Sequence, residues 1–183
     1  FVAELRERPA LAASALELAV LTATRTSEVL AATWGEFDLE AGLWTIPAER
    51  MKARREHRVA LSKRALAIVS ELAKAKTSDF VFPGQKPKKP LSNMAMLMLL
   101  DRMGRRGAIT VHGFRSTFSD WASEVSPFPA ELRETALAHT IPNKAEAAYR
   151  RGDALEKRRT MMEAWSIWCE PKSKVVIDFR AKR

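Results

Sequence analysis

The 183-residue sequence has few residues of several kinds, and each scarcity excludes a class of protein. Cys169 is the only cysteine, so no disulfide can form within the chain, and no zinc-type spacing of Cys and His is present. The longest apolar-rich stretch, residues 10–24, contains Glu17 and is too short to cross a bilayer. Nothing resembles a signal peptide. We therefore expect a cytoplasmic protein without a membrane segment.

Tyrosine is also scarce, since Tyr149 stands alone beside five Trp and eight Phe. It lies in the segment NKAEAAYRR, residues 143–151, which predicts a short helix that ends at Gly152. A lone tyrosine ordinarily packs its ring in the core and pairs its hydroxyl. The alanines and arginines around Tyr149 offer little apolar surface for such packing, so a chemical role for the phenol has to be considered.

Basic residues, in contrast, are abundant. There are 31 Lys and Arg against 22 Asp and Glu, a net charge of +9, which points to a polyanionic partner and most often to nucleic acid. The 46% of hydrophobic residues is enough for the core of one domain. Composition alone leaves ribosomal, membrane-surface and other soluble basic proteins open.

Periodicity predicts a mainly helical chain with a few short strands. The buried-helix pattern of residues 10–23 is followed by a short helix that Thr26 is placed to cap. We expect His57 to face solvent, and Met161, Trp165 and Trp168 to form a core-facing stripe on the last helix. The strands are predicted at 42–47, 56–62 and 79–84. The first two form a hairpin whose connecting segment, residues 48–55, is basic.

Five polar residues have ordinary explanations when each is taken alone. Arg25 and Arg115 could be ion-pair partners, His112 a helix cap, His139 a cation at a helix end, and Lys52 a solvated lysine. Together they suit attack on a phosphodiester. Two guanidinium groups can hold the non-bridging oxygens, and a phenol can attack phosphorus once a base accepts its proton. An ammonium can protonate the leaving oxygen, and imidazoles can move protons at neutral pH. Asp and Glu are scattered rather than clustered, so this chemistry is expected to need no metal.

These residues lie in segments that resemble a known family. VHGFRSTFSDWA, residues 111–122, is similar to the His-x-x-Arg segment of the tyrosine recombinases, the phage integrase family. LAHT, with AYRRGD ten residues after its histidine, is similar to the second histidine and terminal tyrosine segments. TRTSEVL and MKARREHRVALS resemble the segments with the first arginine and the lysine. The order and intervals match over about residues 10 to 165, and the likeness is greatest to integrases of prophages and genomic islands.

The resemblance implies a role for each matching residue. Arg25 and Arg115 would hold the scissile phosphate, and Lys52 would be the general acid toward the leaving 5′ oxygen. Tyr149 would be the nucleophile that forms a 3′-phosphotyrosyl link. His112 would accept the phenol proton.

Two further residues complete the implied site. His139 would donate a hydrogen bond to the phosphate, and Glu28 would support the site from behind. The family often has glycine where this chain has Ala23 and Ala138. Neither replacement removes a functional group.

The resemblance also implies an α+β, mainly helical catalytic domain over residues 1–170, with a small antiparallel sheet at one edge and no cofactor. Residues 171–183 would be a tail exchanged with a neighbouring subunit, and DNA-binding domains are expected before residue 1. The implied partners are double-stranded DNA attachment sites, three further subunits in a tetramer and a DNA-bending accessory protein, in the nucleoid of a bacterial cell.

Two other functions remain open from the sequence. A type IB topoisomerase would use the same active-site chemistry to relax supercoils without partner subunits. A non-catalytic nucleic-acid-binding module would use the arginines and the tyrosine only for contacts to phosphates and bases.

Overall fold

The computed structural model describes residues 1–139 and 153–171, and the predicted helix around Tyr149 and the tail from residue 172 lie outside this part. Eight α-helices and three strands lie within the described residues. The helices are α1 (Val2–Arg6), α2 (Leu11–Thr22), α3 (Thr26–Leu30), α4 (Lys63–Lys74), α5 (Ala95–Arg102), α6 (Gly113–Glu124), α7 (Ala130–Ala136) and α8 (Leu155–Cys169). The strands are β1 (Phe37–Asp38), β2 (Leu43–Ile46) and β3 (His57–Ala60). The α+β, mainly helical fold is confirmed.

Helix α2 is the centre of the core, as its sequence predicts. All its residues except Leu11 and Ser14 are buried, and it contacts α1, α3, α4, α5, α6 and α8. Its one charge, Glu17, is 4% exposed and lies 2.7 Å from Arg6 Nε and 2.8 Å from Arg64 Nε. A buried carboxylate is costly unless it is paired, and the two arginines offset the cost of burying the charge of Glu17.

The sheet is antiparallel in the order β1-β2-β3. Trp44 pairs with Val59 across β2 and β3, and Trp44 and Ile46 turn inward from β2. The predicted hairpin is confirmed, whereas β1 has only two residues and its period-2 pattern is too short to detect in the sequence. The connection from β2 to β3 begins with a 3-10 turn, Ala48–Arg50, and carries an exposed tip at residues 52–56.

Hydrogen bonds fix the start of α4 and the packing of α8. Ser62 caps α4 by accepting a hydrogen bond from the backbone N–H of Ala65 at 3.3 Å. Helix α8 packs on β3, and Trp165 Nε1 donates to the carbonyl of Val20 at 2.8 Å. Asp153, two residues before α8, consequently lies 3.3 Å from Arg58 of β3.

Three expectations from the sequence are wrong. Residues 79–84 form no strand, because only isolated bridges join Phe80 to Thr33 and Pro83 to Pro90. Trp168 is 44% exposed at the end of α8, where it stacks on buried Trp165 instead of entering the core. His57 is 8% exposed, because α7 and α8 cover the start of β3.

Within residues 1–139 and 153–171, no helix has the length and apolarity needed to span a bilayer.

Candidate active site

Five of the predicted site residues line a single open cleft of about 410 Å³. They come from four parts of the chain: the α2–α3 junction, the hairpin tip, α6 with the residue before it, and the segment after α7. The tertiary structure therefore brings together residues that are separated by up to 114 positions (139 − 25). The five are Arg25, Lys52, His112, Arg115 and His139. Tyr149 lies outside the described residues.

Arg25 is held from below by Glu28. It occupies the N-cap position of α3, one residue earlier than the predicted cap at Thr26. One Glu28 carboxylate oxygen accepts the backbone N–H of Arg25 at 2.8 Å, and the other accepts Arg25 Nη1 at 2.7 Å. Glu28 is 3% exposed, whereas the Arg25 side chain remains 29% exposed. The carboxylate thus orients the guanidinium while the cation still faces the cleft.

Arg115 is fixed by backbone carbonyls. Its Nη1 donates to the carbonyl of Ala23, and its Nη2 donates to the carbonyl of Leu137 at 2.8 Å. Within residues 1–139 and 153–171, no carboxylate hydrogen-bonds to this guanidinium. Burial, followed by repulsion from Arg25, lowers the pKa of Arg115 to about 10, so the group stays charged at neutral pH. Its charge is oriented but not neutralised by a direct partner.

Lys52 enters the cleft from the hairpin. The preceding Met51 is 3% exposed and anchors the chain in the core, whereas residues 52–56 are exposed. The lysine is therefore at the first position of the tip, directly after a fixed residue. A flexible four-carbon side chain on such a base can reach across a cleft while its backbone stays in place.

The two histidines lie at the rim. His112 precedes α6 and is exposed, so its ring is accessible to a reactant. His139 Nδ1 lies 2.8 Å from a Glu134 carboxylate oxygen. Burial by itself would raise the pKa of Glu134, but hydrogen bonds from His139 and Arg133 lower it. An ionised Glu134 favours the proton on Nδ1 of His139, which leaves Nε2 for another partner.

The cleft also contains residues that the sequence did not single out. Ser116 and Asp120 line it together with Ser119, also on α6. Helical spacing indicates this position, because Ser116 follows His112 by four residues and Asp120 follows Ser116 by four, so that the three lie on one face of the helix. The lining thus contains three cationic side chains and one carboxylate, that of Asp120. In the described ranges, no group of three or more His, Cys, Asp or Glu residues could hold a metal.

Comparison with known proteins gives a consistent result. Residues 2–154 match the model of the phage integrase family. The prophage integrase IntA of Escherichia coli K12 is 42% identical over 150 residues, which cover 80% of this chain and 36% of that protein. The prophage integrase IntZ of the same organism is 38% identical over 154 residues, covering 84% and 38%. The integrase of Shigella phage Sf6 is 34% identical, covering 82% and 40%.

A solved structure shares the fold. The crystal structure of the XerA recombinase superposes with a TM-score of 0.56 at 14% identity, covering 90% of this chain and 65% of that one. The chain spans about two fifths of the length of the curated relatives.

Proposed function

This chain belongs to the phage integrase family, the tyrosine recombinases, and on that premise we propose that residues 1–170 are the catalytic domain of a site-specific DNA recombinase. The proposed reaction integrates or excises a phage or genomic island. The observation that carries the proposal is the convergence of three cations and two imidazoles on one open cleft. An exposed, positively charged cleft of this kind suits a DNA phosphodiester.

The scissile phosphate is held by Arg25 and Arg115. Both guanidinium groups are oriented by hydrogen bonds, to Glu28 and to two backbone carbonyls. Each has further N–H groups that make no hydrogen bond within residues 1–139 and 153–171 and can donate to a phosphate. Negative charge grows on the non-bridging oxygens as the nucleophile attacks. Donors that are already in place stabilise that charge without a cost of reorganisation.

Tyr149 is the nucleophile in this proposal. The phenolate oxygen forms a bond to phosphorus, the bond from phosphorus to the 5′ oxygen breaks, and a 3′-phosphotyrosyl link results. Tyr149 follows His139, which lines the cleft, by ten positions, and it precedes Asp153, which lies 3.3 Å from Arg58 of β3, by four. Both ends of its segment thus lie at fixed places in the described fold.

The proton transfers are assigned to Lys52 and His112. Lys52 gives a proton to the departing 5′ oxygen, and His112 accepts the proton of the phenol. In its doubly protonated form, His139 donates from Nδ1 to Glu134 and from Nε2 to the phosphate. Positioned general acids and bases typically contribute about 10²–10⁴-fold in rate.

We propose that no metal takes part, because fixed cations already supply the charge that a metal would bring. Adduct formation is accordingly expected to proceed at the same rate in excess EDTA. A loss of activity that added Mg²⁺ restored would contradict this.

The proposed partners are two double-stranded attachment sites that four subunits bring together, with a DNA-bending protein as accessory. In this scheme the protein is cytoplasmic and associated with the nucleoid. The tail, residues 171–183, docks on a neighbouring subunit. A truncation after Lys172 would then reduce oligomerisation on DNA, and unchanged oligomerisation would refute the docking.

The decisive experiment is capture of the covalent intermediate. Nicked duplexes with candidate attachment sequences, taken from the DNA beside the gene, are incubated with the protein, and the products are then denatured. The wild type is expected to leave protein-linked DNA, and Tyr149→Phe none, while its DNA binding is retained. Arg115→Ala is expected to reduce the adduct by roughly 10²–10³-fold.

The outcomes separate the alternatives. Wild-type protein that binds the duplex and leaves no adduct would favour a binding module. An adduct accompanied by plasmid relaxation as a monomer, without strand exchange between defined sites, would favour a type IB topoisomerase.

A further inference from the structure

Arg50 fixes the base of the hairpin tip. It ends the 3-10 turn between β2 and β3, two positions before Lys52. Its Nη1 contacts both carboxylate oxygens of Glu36, and its Nη2 donates to the backbone carbonyl of Glu28. The Arg50 side chain is only 20% exposed and that of Glu36 is 8% exposed. A paired, nearly buried guanidinium with two different acceptors holds its backbone closely.

Glu36 is itself held in place. One of its oxygens accepts Trp44 Nε1 of β2 at 2.9 Å, and the other accepts Thr33 Oγ1 at 3.2 Å. Trp44 is fully buried. The acceptor of Arg50 is therefore part of the rigid sheet and not of a mobile surface.

Glu28 connects this network with the cleft. Its carboxylate binds Arg25, and its carbonyl accepts from Arg50. The same residue thus holds one of the two phosphate-binding arginines and the segment that carries Lys52. Arg25 is therefore connected to Lys52 by hydrogen bonds through Glu28 to Arg50, and then along the backbone through Met51.

We infer that Arg50 is a positioning residue that sets the approach of Lys52 to the scissile phosphate. The inference rests on the function proposed above. Lys52 has a flexible side chain on an exposed tip, so its distance from the leaving oxygen depends on where the tip begins. Arg50 determines that point relative to Arg25, without touching the DNA.

A substrate with sulfur in place of the bridging 5′ oxygen tests this role. With oxygen, breaking the bond to phosphorus requires a proton from Lys52, and the product is a 5′ hydroxyl. A thiol has a pKa of about 8.5, so sulfur can leave as a thiolate without that proton. Loss of the general acid should therefore slow cleavage of the oxygen substrate and not of the sulfur substrate.

Arg50→Gln is expected to slow adduct formation on the oxygen substrate on the order of 10²-fold, as a displacement of a catalytic group by about 1 Å can. On the sulfur substrate the deficit is expected to disappear. Lys52→Ala should show the same pattern. Arg50→Lys, which keeps the charge but cannot reach both acceptors in a fork, is expected to fall between Arg50→Gln and the wild type.

Arg54→Gln is the matched control. It removes a neighbouring tip arginine that is exposed and contacts the Glu49 carbonyl at 3.4 Å. Its two rates are expected to equal those of the wild type. Glu36→Gln is a second variant, because it breaks the pair but leaves the bond from Arg50 to Glu28, and a smaller deficit of the same kind is expected.

The ratio of the two rates is measured on one preparation, so partial unfolding lowers both rates and leaves the ratio unchanged. Equal deficits on both substrates, or none on either, would overturn the role of Arg50 while the recombinase proposal stands. Absence of rescue for Lys52→Ala would overturn the general acid and this inference together. Absence of any wild-type adduct would refute the proposed function itself.

Discussion

Two alanines beside the cleft adopt left-handed backbone conformations. Ala23 ends α2 with φ +51°, and Ala138 precedes His139 with φ +50°. These are the two positions where the family often has glycine, and only glycine adopts this conformation without a steric cost. The carbonyls of Ala23 and of Leu137, the neighbour of Ala138, both accept from Arg115. The two strained turns therefore hold the acceptors of a proposed phosphate-binding arginine.

Ala138→Gly is expected to stabilise the protein by up to about 1 kcal/mol. Relief of the left-handed strain exceeds the entropy that glycine adds to the unfolded chain. The measurement is the midpoint of urea unfolding. Ala136→Gly, two positions earlier inside α7, is the control and should destabilise by about 1 kcal/mol. A lower midpoint for Ala138→Gly would contradict the argument.

His57 makes stability depend on pH. Its burial, with repulsion from Arg158 and Arg115 outweighing attraction to Glu28, lowers the pKa of His57 to about 4. The unfolded chain takes up this proton near the ordinary pKa of about 6.5, whereas the native protein does so only near pH 4. The free energy of unfolding should therefore fall as the pH is lowered through this window, by on the order of 3 kcal/mol from this group.

His57→Gln removes the titrating group and tests this prediction. Unfolding midpoints of the wild type and the variant are compared at pH 7.5 and pH 5. The wild type is expected to lose more stability between these values than the variant. Equal losses would show that other groups cause the acid sensitivity.

At the scale of elements, Arg158 joins α8 to the sheet. It is 2% exposed, with Nε donating to the Asp153 carbonyl at 2.7 Å and Nη2 to the Asp153 carboxylate at 2.8 Å. Its Nη1 donates to the carbonyl of Arg58 in β3. Arg158 and Arg58, whose Nη1 lies 3.3 Å from the Asp153 carboxylate, thus both hold Asp153, which follows Tyr149 by four positions.

Arg158→Met is expected to cost about 3 kcal/mol of unfolding free energy, because it removes the three hydrogen bonds that a buried guanidinium makes to Asp153 and Arg58. Denaturation in urea measures the loss. Arg159→Met is the matched control, since that side chain is 33% exposed and contacts the Gly42 carbonyl at 3.2 Å and Glu156 at 3.4 Å. It should cost less than about 1 kcal/mol. Similar losses for both variants would disprove the special role of Arg158.

At the scale of the whole molecule, the net charge of +9 governs association with DNA. Each phosphate neutralised by a cation releases counterions, so the logarithm of the binding constant falls with the logarithm of salt by about 0.9 per contact. Arg25, Lys52 and Arg115 face the cleft together. They alone predict a slope of about −3 or steeper.

Lys52→Gln is expected to make that slope shallower by about 1, with little change in stability, because Lys52 is exposed. Fluorescence titrations of duplex DNA between 50 and 200 mM salt, about the usual range for this effect, give the slope. Lys74→Gln is the control, since Lys74 is 70% exposed on α4 and pairs with Glu71 at 2.7 Å. An unchanged slope for Lys52→Gln would exclude a phosphate contact by this lysine.

Much of the molecule can be predicted from local patterns. Helix α2, the hairpin and the Ser62 cap depend on neighbours within a few positions, so their sequence signals are direct. Residues 79–84 and Trp168 have strand-like and core-like signals, but the packing of distant elements leaves the first without a continuous partner and the second half exposed. His57 is the converse case, since α7 and α8 cover a position with a polar signal.

The sequence by itself determined the main helices and the hairpin, because their signals depend on residue type and short spacings. It also supplied the five predicted groups of the cleft, although not Ser116 and Asp120. Only the tertiary structure decided that Arg115 is held by the carbonyls of Ala23 and Leu137. It alone also decided that Arg50 reaches Glu28 and Glu36, and that five residues from four segments meet. The physical reason is that such contacts join residues far apart in the chain, and their partners are selected by the packing of the core around α2 and not by any local pattern.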